Sequence, residues 1–146
     1  MFKHILIPTD GSSVAAKAIQ AGVALAGEMG AKVTGFCAEE PPPQRYKDGL
    51  VVPHELHAEM ERRSRECAER NVAEIEKAAR TAGVAFESLV VQSGMPYQAI
   101  IDAAQDKKCD AIFMASHGHR GFTGLLLGSV TNQVLTHSKI PVLVFR

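Results

Sequence analysis

The chain has 146 residues, of which 46% are hydrophobic, and its sixteen basic residues balance sixteen acidic ones. A domain of this size buries roughly 70% of its unfolded surface, so one self-sufficient core is expected over residues 1–146, with no need of a disulfide or metal staple. The even charge balance argues against nucleic acid as a main partner, which needs clustered Lys and Arg, and the lack of any bilayer-length apolar run argues against a membrane span.

Along the chain, apolar runs alternate with stretches of helical periodicity. His4 to Pro8 reads as a first strand, and Thr9-Asp10-Gly11-Ser12-Ser13 as a turn into a helix capped by its serines. From Val14 to Met29 the residues Ala15, Ile19, Ala21, Val23, Ala26 and Met29 fall close to helical spacing, and Gly30 ends the run. Lys32 to Glu39 is the second strand. Pro41-Pro42-Pro43 and the segment through Pro53 interrupt both sheet and helix, which predicts a surface loop. His54 to Ala82 is the longest expected helix, with Leu56, Met60, Cys67, Ile75, Ala78 and Ala82 available for one buried stripe and its charges forming a solvated face. Val84 to Gln92 reads as the third strand, Gly94-Met95-Pro96 as a turn into a helix from Tyr97 to about Lys107, and Asp110 to Met114 as the fourth strand. A helix from Ser129 to His137 and a last strand from Pro141 to Phe145 complete the chain.

This alternation places the chain in the α/β class, with right-handed crossovers and a parallel sheet covered on both faces. In such sheets ligands bind beyond the carboxyl ends of strands, where the strand order reverses. Two segments occupy that position: Pro8-Thr9-Asp10 after strand one, and Ala115 to Ser129 after strand four. The stretch from Met114 to Thr131 holds four glycines, two histidines and one arginine between a strand and a helix start. Glycines let backbone amides approach phosphate oxygens, and the open amides of a helix N-terminus add partial positive charge. The expected ligand is a phosphorylated one. Ser129 supplies a hydroxyl donor, and His119 and Arg120 are further candidates for phosphate contact.

The segments I-L-I-P-T-D-G-S, V-x-x-G-x-P at Val91 to Pro96, M-A-S-H-G-H-R-G-F-T-G-L-L-L-G-S-V-T and P-V-L-V-F-R together resemble the universal stress proteins across the whole chain. The nucleotide-binding branch of that family has Gly, two residues, Gly, nine residues, Gly, then Ser or Thr. Gly118, the nine residues His119 to Leu127, and Gly128-Ser129 match it, with Ala115 where the first glycine belongs. Alanine there adds a methyl beside the phosphates and disfavours positive φ. The resemblance implies a Rossmann-like, five-stranded parallel open sheet of order 3-2-1-4-5. It implies that Asp10 accepts hydrogen bonds from the ribose or adenine, with Pro8 and Thr9 as the adjoining wall and Ala38 lining the adenine pocket. Met114 and Ala115 would lie against the nucleotide, and His117, Gly118, Gly128 and Ser129 would surround the phosphates. Val130 and Thr131 would continue from the helix start. The implied cofactor is ATP, or AMP or ADP, with or without Mg. Relatives pair through the last strand, so a homodimer is also implied, and the apolar edge strand Pro141 to Phe145 would need such cover.

Rival chemistries lack their residues. His54-Glu55-Leu56-His57 does not have the spacing that sets two histidines around zinc, so no metal site is expected. Cys37, Cys67 and Cys109 show no C-x-x-C spacing and read as three reduced, partly buried thiols, while His4 and His137, on the expected strand and helix surfaces, read as structural. Asp10, Ser12 or Ser13, and His117 are the residue types of a hydrolase triad, yet no G-x-S-x-G elbow presents a serine. No G-x-x-x-x-G-K-[ST] occurs either, and Asp10 is the only obvious carboxylate at the crevice, so no catalytic residue is assigned and binding is expected over turnover. The N-terminus MFKHILIPTD is too briefly apolar, and acidic too soon, for a signal peptide, which predicts a cytoplasmic protein. The expected function is a stress-response protein whose nucleotide occupancy orders the 115–128 loop and the 41–53 loop and so alters its interaction with a protein partner. The alternatives are a nucleotide-independent dimeric scaffold, which Ala115 alone favours, and a slow ATPase or phosphotransferase.

Overall fold

The computed structural model describes residues 1–118 and 126–146. The strands and helices in chain order are β1 (His4–Pro8), α1 (Ser13–Met29), β2 (Lys32–Glu39), β3 (Tyr46–Lys47), β4 (Leu50–Val51), α2 (His54–Ala82), β5 (Phe86–Gln92), α3 (Pro96–Asp106), β6 (Ala111–Ala115), α4 (Ser129–His137) and β7 (Val142–Phe145). The main sheet has order β5-β2-β1-β6-β7 and every pairing in it is parallel. Numbered as main strands alone, that is the expected order 3-2-1-4-5.

The strand at the centre explains the layering. Ile5 and Ile7 of β1 enter a cluster with Ala18, Ile19 and Val23 of α1 and Ile75 and Ala79 of α2, while Leu6 enters one with Ile100 and Ala104 of α3 and Val134 of α4. A strand buried on both faces has no polar alternation to show, and each such side chain contributes roughly 1.5–3 kcal/mol by leaving water. Helices α1 and α2 therefore cover one face and α3 and α4 the other. Ser12 caps α1, its Oγ accepting the Ala15 amide at 3.2 Å, and Gly30 ends that helix at φ 64°. No helix among the described residues is long and apolar enough to cross a membrane.

Four readings of the sequence need correction. The 41–53 loop contains a short antiparallel hairpin, β3 with β4, turned at Asp48 (φ 52°) and Gly49 (φ 78°). Two successive positive φ values are what a tight hairpin turn requires, and Asp-Gly supplies them between the flanking prolines. In α2 the buried stripe is Ala68, Val72, Ile75, Ala78 and Ala79, whereas Leu56, Met60, Cys67 and Ala82 are exposed. The first half of this 29-residue helix carries no buried residue, so its apolar positions find no core to enter. His4 is buried rather than on a surface, its Nε2 2.7 Å from Thr34 Oγ1. Ala115 belongs to β6, paired with Phe145 of β7, and not to the glycine-rich loop.

Candidate functional site

Beyond the carboxyl ends of β1 and β6, the two strands from which the chain departs in opposite directions across the sheet, lies a cavity of about 560 Å³. This is the topological switch point, and the volume suits a nucleotide-sized ligand. Pro8, Thr9 and Asp10 line it from β1, Ala38 from β2, Met114 and Ala115 from β6, His117 and Gly118 from the following loop, and Gly128, Ser129, Val130 and Thr131 from the start of α4. The structure thus brings together every sequence-derived candidate among the described residues. His119 and Arg120 lie outside the described residues.

The wall after β1 is a tightly bonded turn. The Thr9 amide donates to the Phe36 carbonyl at 2.9 Å, which holds β1 to β2 at its exit. Thr9 Oγ1 accepts the Gly11 amide at 3.1 Å and Asp10 Oδ1 accepts the Ser12 amide at 3.0 Å, so the turn fixes the Asp10 carboxylate at the pocket edge. Gly118 packs directly against that carboxylate, and a Cβ at this position would fall on Asp10 Oδ2. Any side chain at 118 would displace the acid.

The opposite wall is the N-terminus of α4. Gly128 is its cap residue and offers no side-chain bond, and no acidic residue sits in the first turn. Among the described residues no side chain caps the first-turn amides, and they carry the positive end of the helix dipole toward the pocket. Two bonds fix this terminus against β6: the Gly128 amide donates to the Ser116 carbonyl at 2.7 Å, and Thr131 Oγ1 donates to the Ala115 carbonyl at 2.8 Å. The Thr131 hydroxyl is thus spent on positioning. Ser116 Oγ lies 3.0 Å from His117 Nδ1, and the Ser116 amide donates to Phe145 at 2.8 Å, so the loop leaves the sheet along β7 before turning to Gly118.

Sequence reasoning missed Ala15, Phe36, Glu40, Pro41, Ser93, Gly94, Pro96, Ile100 and Gln133, which complete the lining. The available signal was positional: Glu40-Pro41 and Ser93-Gly94 follow the second and third strands and so face the same crevice. Ser93 Oγ accepts the Met95 amide at 3.0 Å, which turns the chain into α3 over the pocket. The composition divides the cavity into an apolar end, with Phe36, Ala38, Ile100 and Met114, and a polar end of glycines and helix amides. Among the described residues no three His, Cys, Asp or Glu side chains gather as metal ligands.

The family model described as the universal stress protein family matches residues 1–146, the whole chain. The chain belongs to the universal stress protein family. A universal stress protein from the QAH/OAS sulfhydrylase 3′ region of Thermus aquaticus is 36% identical over 146 residues, covering all of both chains. The solved structure of the hypothetical protein MJ0577, from Methanocaldococcus jannaschii, superposes with a TM-score of 0.81 at 30% identity, covering 99% of this chain and 95% of that one. A universal stress protein solved in complex with cAMP has the same fold, with a TM-score of 0.72 at 22% identity over 99% of this chain and 97% of its own. In the universal stress protein described here, Ala115 stands where the family's nucleotide-binding pattern begins with glycine. Its pairing with Phe145 gives it the extended backbone of a strand, and it is absent from the positive-φ residues, so alanine suffers no backbone strain there.

Proposed function

We propose that this universal stress protein binds an adenine nucleotide, ATP, ADP or AMP, at the carboxyl ends of β1 and β6, and that occupancy serves as a signal to a protein partner. The observation that carries the reading is the convergence of Asp10, Gly118, Gly128 and the open N-terminus of α4 on one nucleotide-sized cavity. The base would lie at the apolar end beside Ala38 and Met114, the ribose would donate to Asp10, and the phosphates would accept from the amides around Gly118, Gly128 and Ser129. The fold neighbour solved with cAMP speaks for what the fold accommodates; at 22% identity the assignment to this chain rests on the chain's own residues. Ala115, the feature that favours a nucleotide-free scaffold, carries no backbone penalty.

Calorimetric titration of ATP, ADP and AMP into nucleotide-free protein, with and without magnesium, tests the reading. Micromolar binding that weakens tenfold or more in Asp10→Ala supports it, since a lost hydrogen bond between charged and neutral groups costs about 1.5–3 kcal/mol. No heat at millimolar nucleotide would sink it. The same proposal includes antiparallel pairing of β7 between two copies: this strand presents four half-buried residues, Val142 to Phe145, and among the described residues it stands at the edge of the sheet beside β6. Light scattering at micromolar concentration should return twice the chain mass.

A further inference from the structure

Two cysteines distant in sequence meet where α2 crosses the end of β2. Cys37 is buried with Ala68 and Val72 of α2, and Cys67, the residue before Ala68, is exposed. The Asn71 side-chain nitrogen lies 3.8 Å from Cys37 Sγ and 3.9 Å from Cys67 Sγ, so the two sulfurs are no more than about 8 Å apart. The crossing is pinned close by. Arg65 Nη2 is 3.2 Å from Glu39 Oε2 in a contact that is ionic rather than a directed hydrogen bond, and Ser64 Oγ donates to the Glu40 carbonyl at 2.7 Å. Glu39 lies two residues after Cys37 and Arg65 two before Cys67, so this pair keeps the cysteine-bearing segments facing each other. Both sulfurs thus contact one and the same carboxamide.

That carboxamide also supports the candidate ligand site. A Cβ built at Gly11, where φ is +80°, would lie 2.5 Å from Asn71 Oδ1, so the Gly11 turn packs directly on Asn71. The same turn sets Asp10 through the Ser12 amide.

We propose that Cys37 and Cys67 form a hydroperoxide-sensitive dithiol that closes to a disulfide across the space Asn71 holds, withdrawing that side chain from the Gly11 turn. The exposed Cys67 thiolate attacks the outer oxygen of a hydroperoxide, giving a sulfenic acid and releasing the alcohol, or water where the oxidant is hydrogen peroxide. The Cys37 thiol then attacks Cys67 Sγ, gives up its proton, and the hydroxyl leaves as water. Two thiols are oxidised by two electrons and the O–O bond is reduced. Burial pushes the Cys37 thiol up to about 11, with the Asn71 amide acting in the other direction, which leaves the first attack to the exposed Cys67 and makes Cys37 the resolving thiol. Cys109, buried elsewhere, serves as the internal control. The proposal stands on the chain alone and does not require a nucleotide.

Hydrogen peroxide added to the native full-length chain, followed by thiol titration in denaturant and non-reducing peptide mapping, tests it. Free thiols should fall from three to one, with an intrachain Cys37–Cys67 peptide that a dithiol reductant reverses and that Cys67→Ser lacks. Because Cys67 is exposed, that variant should fold. Hydrogen exchange at Gly11 and Ser12 should rise several-fold in the oxidised protein. Cys67 over-oxidised while Cys37 stays a free thiol, or Cys67 linked to a second molecule, would overturn the dithiol. Unchanged exchange at Gly11 and Ser12 in the disulfide form would overturn its tie to the Asp10 turn.

Discussion

At the amino ends of the sheet strands polar side chains close on one another and on the backbone, while at the carboxyl ends backbone amides stand open to a pocket. In the first region Asp110 accepts the Lys3 amide at 2.8 Å and the His4 amide at 3.0 Å, His4 meets Thr34, and Lys107 pairs with Glu87. In the second, Gly128 caps α4 without a side-chain bond and Gly118 leaves its flank to Asp10. A buried polar group without a partner costs about 1–3 kcal/mol. One region avoids that cost internally, and in the other no side chain among the described residues caps α4, an arrangement that suits a binding site at a switch point.

The comparison breaks most directly at Gly118. In Gly118→Ala the added methyl displaces the Asp10 carboxylate, and nucleotide affinity should fall by about 100-fold, which corresponds to about 2.7 kcal/mol, with little change in melting temperature. Asp110→Ala should do the reverse. It leaves the Lys3 and His4 amides without their acceptor, so stability should drop by about 1–3 kcal/mol, at about 2–4 °C per kcal/mol for a chain of this size, while affinity holds. Calorimetry and thermal melts on both variants would read the two effects separately; a shared loss of both properties would show that the two ends are not independent.

The first region also predicts a pH effect of smaller size. Burial, and then the Lys32 ammonium, hold the His4 imidazole below its ordinary value, with Glu87 and Asp110 pulling the other way. The unfolded chain takes up a proton near pH 6.5 that the folded chain resists, so this contribution is complete above that pH and is lost as pH falls through it toward the folded value. Asp110 and Glu87 act in the same direction at lower pH. Burial pushes Asp110 up, but the Lys3 and His4 amides outweigh it and hold the carboxyl low, and the Lys107 hydrogen bond holds Glu87 low. Melting temperature should therefore decline from about pH 6.5 downward, and His4→Gln should flatten the first part of that decline. An unchanged profile in the variant would assign the slope elsewhere.

What was legible in the sequence divides along the same line. Strands buried on both faces and helices with caps announce themselves, because β1 needs an unbroken apolar run and α1 needs Ser12 and Gly30 at its ends. The candidate site was legible where a strand exit coincides with glycine or a carboxylate, as at Asp10 and Gly118. It was not legible at Phe36 or Ile100, which look like any core residue and reach the pocket only because the sheet ends beside them. The first half of α2 is the converse case: Leu56 and Met60 have the spacing of a buried stripe, yet both stand exposed and the buried residues of the helix begin at Ala68. Periodicity reports which residues share a face and is silent on whether anything covers that face.

Ala115 gives the smallest expected effect. Read from the motif alone, its methyl crowds the phosphates, and reversion to glycine should restore affinity. In the structure the residue is extended, pairs with Phe145, and packs in the cluster of β1, α1 and α2, while its carbonyl holds Thr131. Glycine would then add nothing to the polar end of the pocket and would remove a packed methyl from a strand, a change that costs roughly 0.5–1 kcal/mol. Ala115→Gly should leave nucleotide affinity within about threefold of the parent chain, less than the tenfold that 1.4 kcal/mol would give, and should lower the melting temperature slightly. A tenfold gain in affinity would mean that the methyl reaches the ligand after all, and that the open end of the sheet is shaped by this side chain as well as by its glycines.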